Sequence, residues 1–148
     1  MTGKHHPELV NAYSEAGYQP LGLACFFGHM ESAQYLINAG ARVNSPSQNG
    51  MKVTPLHSAA AGRHTVIVKL LLEHDADPNA LQEGGFTPLH AAAQNGDVQT
   101  IHTLLFHGAD TDIKSADGKS PLDYARESRK PGAVELLREG ITKRFRRR

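Results

Sequence analysis

The sequence predicts an all-α repeat solenoid, a stack of short helix pairs that recur along the chain. The first observation is a motif, Thr54-Pro55-Leu56-His57, which returns as Thr87-Pro88-Leu89-His90 and in altered form as Ser120-Pro121-Leu122-Asp123, each time after 33 residues. The second observation is that two stretches with apolar residues at helical spacing follow each motif. A fixed period of this kind is typical of repeat architectures, whose units bury their apolar faces against one another.

The elements of one unit follow from its residues. Proline suits the first helical position, where its missing N–H would be unbonded anyway, and the Thr or Ser before it can cap the helix. The first helix, such as residues 89–96, is rich in Ala and ends at Gly96. In the second helix, Ile67, Val68 and Leu71 lie at helical spacing, and a Gly/Asp/Asn segment follows as a turn. Neither short helix could bury its apolar face alone, so we expect neighbouring units to stack.

This pattern resembles the ankyrin repeat family, whose signature is a period of about 33 residues with Thr-Pro-Leu-His. The resemblance covers residues 9–140. It implies helix pairs joined by hairpin loops, which we call fingers. The slot Gln19-Pro20-Leu21-Gly22 comes 35 residues before the Thr54 slot, which predicts a two-residue insertion in residues 50–53. The resemblance also implies that His57 and His90 bond to finger backbone and to the motif threonine rather than to a metal.

These registers predict three full repeats with a partial N-terminal unit and a degenerate C-terminal capping repeat. The predicted boundaries are 1–13 for the partial unit, 14–46, 47–81 and 82–114 for the repeats, 115–140 for the cap and 141–148 for a basic tail. Arg126 and Arg138 stand where earlier units carry Ala or Leu, which suits a face that no further repeat covers. The first residues resemble the end of a preceding unit. That favours a fragment of a longer array, and the alternative is a first repeat with an unsealed end.

Composition narrows the class of protein. The single cysteine, Cys25, rules out an internal disulfide and favours a reducing intracellular setting, the cytoplasm first and the nucleus as the alternative. No apolar run approaches the ~18–20 residues that cross a bilayer, so no membrane insertion is expected. The last eight residues carry five positive charges and no acid, which leaves eleven basic and fifteen acidic residues in the rest of the chain. No metal or cofactor is predicted, and we expect a monomer.

The resemblance implies a non-catalytic module that binds another protein through a concave groove, formed by finger tips and the exposed side of each first helix. Phe26 and Phe27 lead the predicted surface, because adjacent aromatics on one short helix cannot both point into the stack. The alternative is that they seal the end of the first repeat. The residues assigned to partner binding are Tyr18, Phe26, Phe27, Met51, Lys52, Val53, Phe86, Gln94, Asn95 and Lys119.

Other function classes find less support in the sequence. The chain lacks a phosphate-binding Gly loop, a nucleophile elbow and a metal frame, and Cys25 occupies a small-residue slot where it should be packed. One alternative is a regulatory or targeting segment of a larger enzyme. Another is a nucleic-acid-associated protein using the tail 143–148, but its one aromatic is thin support for base stacking and the acidic body opposes DNA.

One modification site is implied by resemblance alone. Leu72, Asp77 and Asn79 match a loop pattern similar to that of asparaginyl hydroxylase substrates. This makes Asn79 a candidate for hydroxylation, and an ordinary loop role is the alternative.

Overall fold

The computed structural model describes the backbone of residues 7–146 and the side chains of residues 9–143. Within that part the fold is helical, and its only β pairing is an isolated bridge between Gln82 and Phe86. The helices are α1 Pro7–Val10, α2 Pro20–Phe27, α3 Met30–Asn38, α4 Pro55–Ala61, α5 Thr65–Glu73, α6 Pro88–Asn95, α7 Val98–Phe106, α8 Pro121–Glu127 and α9 Pro131–Arg146.

The helices form two layers. The first helices, α2, α4, α6 and α8, pack side by side, and the second helices, α3, α5, α7 and α9, do the same behind them. Each first helix also packs against the second helix of its own unit. This arrangement confirms the predicted all-α repeat solenoid. None of the described helices is both long and apolar enough to cross a membrane.

One apolar core runs through both layers. The motif leucines Leu21, Leu56 and Leu89 are almost completely buried in the first layer, between small residues such as Ala59 and Ala92. The second layer contributes further buried side chains, among them Val68, Leu71, Ile101, Leu104 and Leu137. Small residues in the first helices let neighbouring units approach closely, so each unit completes the core of the next.

The motif residues cap the first helices as predicted. In α4 the Thr54 hydroxyl accepts a hydrogen bond from the backbone N–H of His57, while Nδ1 of His57 accepts from the N–H of Thr54 at 3.2 Å. The same reciprocal cap occurs in α6 and α8. Helix α2 differs, because its N-cap residue Gln19 makes no side-chain capping bond and instead donates to the carbonyl of Asn11.

The fingers comprise residues 12–18, 45–53, 80–86 and 113–119, so the second finger is two residues longer than the others. The two extra residues therefore lie between Asn44 and Thr54, a range that includes the positions 50–53 given by the sequence register. Backbone hydrogen bonds join successive fingers at 2.7–2.8 Å. They run from the N–H of Gln48 to the carbonyl of Gly17, from Glu83 to Met51 and from Ala116 to Gly84.

An asparagine ladder joins the turns that precede the fingers. Asn44 donates to the carbonyl of Asp75 at 3.0 Å and accepts from the N–H of Asp77 at 2.7 Å. Asn11 and Asn79 make the equivalent pair of bonds to the turn of the following unit. The recurring loop Asn therefore ties each unit to the next.

The C-terminal helix departs from the predicted boundary. The capping repeat was predicted to end at residue 140, whereas α9 continues through that position to Arg146. Gly140 interrupts neither the helix nor its packing, since a Cβ there would lie 3.2 Å from Leu105, and no turn-forming residues follow it. The beginning of the predicted tail is thus helical. Residues 147–148 and residues 1–6 of the partial unit lie outside the described part of the chain.

Candidate functional site

Helix α2 is apolar on every side, and only part of it is covered. Leu21, Ala24 and Cys25 are buried against the rest of the stack. Leu23, Phe26 and Phe27 are exposed, and they share one helix face because they lie three and four residues apart. We call these three residues the aromatic cluster. A helix that is hydrophobic all round is normally buried, so this face lacks a cover in the isolated chain.

The two phenylalanines pack against each other in the open. Their ring centroids are 5.0 Å apart with the planes at 87°, an edge-to-face arrangement, and Phe27 also meets the ring of His29. Phe26 remains 59% exposed and Phe27 64% exposed. The backbone beneath them is held, because Nε2 of His64 donates to the carbonyl of Phe26 at 3.2 Å. The aromatic cluster is therefore a solvent-facing apolar patch on a fixed backbone.

The other first helices carry smaller or more polar residues at the equivalent positions. Leu23 corresponds to Ser58, Phe26 to Ala61 and Phe27 to Gly62. The same slots in the later units hold Ala91, Gln94 and Asn95, then Tyr124, Glu127 and Ser128. The apolar patch is thus confined to the first unit. Leu23 was not among the predicted surface residues, although its spacing of three and four residues to Phe26 and Phe27 was the signal that could have identified it.

The second finger has its own internal bonding. The side chain of Asn49 accepts from the hydroxyl of Ser47 at 2.8 Å and from the N–H of Met51 at 3.1 Å. Lys52 adopts a left-handed backbone with φ of 55°. The side chains of Met51 and Lys52 are exposed, and that of Val53 is half-buried. This finger therefore presents its predicted residues from an ordered turn.

Phe86 and Lys119 belong to a second cluster, at the third and fourth fingers. The ring of Phe86 meets those of His90 and Tyr124 edge to face, at 5.8 Å in both cases. Lys119 lies over the Tyr124 ring and forms an ion pair of 2.9 Å with Glu127. Its hydrogen bond to Glu127 raises the pKa of Lys119 above its ordinary value. These side chains are engaged with the fold, and within the described part no ring contact joins them to the aromatic cluster.

The remaining predicted surface residues divide between open and engaged positions. Gln94 is exposed. Asn95 donates to the carbonyl of Ala61 at 3.0 Å, and its own carbonyl accepts from the guanidinium of Arg63. Tyr18 is half-buried, with its backbone bonded to Ser14 on both sides. Asn95 thus serves the contact between units, which sequence spacing alone does not reveal.

The histidines of the motif are structural, as the sequence analysis expected. Nε2 of His57 donates to the carbonyl of Phe86, and Nε2 of His90 to that of Lys119, both at 3.0 Å. Burial lowers the pKa of both rings. Among the described residues, no group of three or more His, Cys, Asp or Glu side chains could hold a metal ion.

Cys25 is completely buried, and burial raises the pKa of its thiol to about 12. A thiol becomes nucleophilic only as the thiolate, so at neutral pH Cys25 is inert in the folded chain. Its position confirms the packing role that the sequence suggested.

Comparison with known proteins agrees with this architecture. A family model described as ankyrin repeats (many copies) matches residues 23–71 and 56–105, which together make up more than half of the chain. Rabankyrin-5 of Mus musculus is 41% identical over 58 residues, 39% of this chain and 5% of the relative. The ankyrin repeat and KH domain-containing protein mask of Drosophila melanogaster is 43% identical over 70 residues, 47% of this chain and 2% of the relative.

A third relative, the E3 ubiquitin-protein ligase hecd-1 of Caenorhabditis elegans, is 37% identical over 76 residues, 51% of this chain and 3% of the relative. The chain thus matches only a small part of each of these proteins. The match to the family model agrees with the order of the helices and with the caps formed by the motif residues. The chain belongs to the ankyrin repeat family.

Proposed function

We propose that this chain is a non-catalytic module that binds a partner protein through a concave groove, formed by the first helices and the fingers and centred on the aromatic cluster. Ankyrin repeats generally mediate contacts between proteins, and what is specific here is the place of contact. The observation that carries the proposal is the exposed apolar face of α2. Aromatic side chains held in one patch are the usual anchors of protein interfaces.

A partner that covered this face would bury more apolar surface than one that covered the equivalent face of any other first helix. Two exposed phenylalanine rings and Leu23 lie on one short helix, whereas the other first helices offer mainly Ala, Ser, Gln or Glu there. The backbone of Phe26 is already fixed by His64, so little backbone ordering remains to oppose association. A partner with an apolar side chain to place between the two rings would fit this surface.

The second finger supplies the adjoining part of the proposed surface. Met51 is 47% exposed, and its carbonyl is bonded to Glu83 of the third finger, so its side chain is offered from a held position. Methionine adapts its shape to apolar partners, and Lys52 beside it adds a positive charge. Phe86, Lys119 and Asn95 contribute less to this proposal, because their side chains already have partners within the fold.

The alternative role of the aromatic cluster, as a seal for the end of the first repeat, makes a different prediction. A sealing residue is buried by the fold that it seals, and its loss costs several kcal/mol, as for other emptied core sites. Phe26 and Phe27 are more than half exposed. Their exposure favours binding, and the stability of the variants distinguishes the two roles.

The experiment is affinity capture with the wild-type chain, a Phe26→Ala/Phe27→Ala variant and a matched control, Tyr35→Ala/Phe106→Ala. The control removes two aromatics that are 62% and 80% exposed on second helices, away from the proposed groove. We expect the first variant to lose specific partners that the control retains, with melting temperatures unchanged. Equal capture by all three proteins, or equal loss by both variants, contradicts the proposal.

The same module in a larger enzyme would serve as its targeting segment. The match to an E3 ubiquitin-protein ligase over 3% of that protein's length supports the idea that such repeats accompany catalytic domains. On this reading the groove would still bind a protein, so the same variants test it.

A further inference from the structure

The C-terminal end of the stack carries an open basic pocket. It lies between the end of α8 and the outer face of α9, and its volume is about 800 Å³. Five of its lining side chains are cations, namely Arg126, Arg129, Lys130, Arg138 and Lys143. We call this site the end-face pocket. Its volume is in the range of pockets that hold a small ligand, which is enough for a few side chains of a peptide.

The pocket lies on a face against which no other described unit packs, and the residues of this face differ from those of the stacked faces. Arg126 occupies the slot of Ala60 and Ala93, which the following unit buries completely. Arg138 likewise occupies the slot of Leu72, which is 6% exposed. Both arginines are exposed at the end of the stack. The substitutions have therefore turned an apolar stacking face into a cationic one.

These cations are only partly compensated by nearby acids. Arg126 lies close enough to Asp123 to help lower the pKa of that carboxyl, although the two do not form an ion pair. The lining contains two carboxylates, Glu135 and Glu139, against five positive charges. Within the described side chains, none of the five cations comes within ion-pair distance of a carboxylate, whereas Lys119 elsewhere in the chain is paired with Glu127. A guanidinium group that is not held in an ion pair can take a carboxylate through two parallel hydrogen bonds.

We propose that the end-face pocket binds an acidic peptide segment of a partner protein, as a second binding site distinct from the aromatic cluster. Arg126 and Arg138 hold carboxylates of the segment, and Val134 in the pocket wall meets an apolar side chain between them. Two glutamates in the wall oppose a ligand of uniform negative charge. They favour instead a chain in which carboxylates alternate with uncharged residues.

A nucleic acid fits these observations less well. Its phosphates would meet Glu135 and Glu139, and none of the described side chains that line the pocket is an aromatic ring that could stack on a base. Proteins that bind single-stranded nucleic acids usually combine positive charge along the backbone with aromatic side chains on which the bases stack. The acidic peptide is therefore the occupant that both the charges and the apolar wall support.

The test uses fluorescence polarisation with a labelled peptide in which glutamate pairs alternate with leucine. A glutamine analogue of the peptide and an oligothymidylate serve as the other probes. The variant is Arg126→Gln/Arg138→Gln, and the control is Arg42→Gln/Lys69→Gln, which makes the same charge change at two exposed cations away from the pocket. Melting temperatures verify that both remain folded.

We expect the glutamate peptide to bind the wild-type chain and the control within about twofold of each other, and the pocket variant roughly tenfold more weakly. The affinity should fall as salt rises, since charges carry the contact. The Phe26→Ala/Phe27→Ala variant should bind the peptide normally, which separates this site from the proposed groove. The proposal is overturned if the peptide fails to bind, if both charge variants weaken it equally, or if the oligothymidylate binds more tightly at the same residues.

Discussion

Nε2 of His57 donates to the carbonyl oxygen of Phe86, 3.0 Å away, and thereby joins the first helix of one unit to the finger of the next. Nδ1 of the same ring accepts from the hydroxyl of Thr54 at 2.8 Å and from its N–H at 3.2 Å. Only the neutral ring with its proton on Nε2 can make all of these bonds. His90 repeats the arrangement with Thr87 and Lys119.

This bonding predicts a loss of stability in mild acid. Burial lowers the pKa of His57 and His90 below the ordinary value of 6.5, so the unfolded chain takes up these protons first. The stabilisation is complete above the ordinary value and is lost as the pH falls from there toward the lowered pKa values. We expect the free energy of unfolding to fall by about 1 kcal/mol per histidine as each network breaks.

Urea unfolding between pH 7.5 and 5 measures this effect in a range above the ordinary titration of carboxylates. The variant His102→Gln, at an exposed position, should show the same dependence of the free energy of unfolding on pH as the wild-type chain, because that histidine contacts no finger backbone. A stability that is flat over this range would contradict the role assigned to the two buried rings.

Gly22 replaces the motif histidine in the first unit, and its backbone allows a side chain. A Cβ at Gly22 would meet nothing within 4 Å. Replacing a helical Gly by Ala reduces the entropy of the unfolded chain, so Gly22→Ala should stabilise the fold by about 0.5–1 kcal/mol. Thermal unfolding measures the gain.

Gly28→Ala is the matched control for Gly22→Ala and should have the opposite effect on stability. Gly28 has φ of 75°, and a Cβ there would lie 2.5 Å from the ring of His64. We expect this change to lower the melting temperature. If Gly22→Ala and Gly28→Ala changed the melting temperature in the same direction, this would contradict the close packing of His64 on the end of α2.

The burial of Cys25 predicts that its thiol reacts slowly with thiol reagents in the folded chain. With the pKa of Cys25 raised to about 12, a thiol reagent at pH 8 should modify the native chain far more slowly than the chain in denaturant. The absorbance of the released thiolate follows both reactions. Fast modification of the native protein would reopen a nucleophilic role for Cys25.

The side chain of Asn79 joins two turns, and its removal should lower the free energy of unfolding. Its side chain donates to the carbonyl of Gly108 at 3.2 Å and accepts from the N–H of Asp110 at 2.7 Å. Asn79→Ala removes both bonds and should cost about 1–2 kcal/mol. Urea unfolding of this variant measures the loss, and no change within error would contradict the ladder.

Asn79 also remains the candidate for hydroxylation. Intact-mass analysis after coexpression with an asparaginyl hydroxylase tests this, with Asn79→Ala as the control. A gain of one oxygen that the variant does not show would support hydroxylation of Asn79 over an ordinary loop role. An unmodified wild-type chain, or an equal gain in the variant, contradicts the assignment.

The local motifs made much of the fold predictable. Proline after a capping residue marks the start of each first helix, and Pro55, Pro88 and Pro121 begin α4, α6 and α8 in the structure. The extra two residues of the second finger also follow from register. These features depend on residues close in sequence, whose geometry the chain itself restricts.

Features that depend on a neighbouring unit were harder to predict. Leu23 could have been a core residue, because a helical apolar position does not reveal which side the next unit covers. Asn95 serves carbonyls of the preceding unit, and Phe86 packs on Tyr124 of the following one. Helix α9 continues past Gly140, where a Cβ would lie 3.2 Å from Leu105 of the preceding unit, and this contact between units is not visible in the local sequence.

In the proposed complex the aromatic cluster anchors a partner protein. The most direct test is isothermal titration of a purified captured partner into the wild-type chain, Phe26→Ala/Phe27→Ala and Tyr35→Ala/Phe106→Ala. We predict that the first variant weakens binding by more than about tenfold while the second stays within about twofold and both keep the wild-type melting temperature. Undiminished affinity in Phe26→Ala/Phe27→Ala would contradict this role of the aromatic cluster.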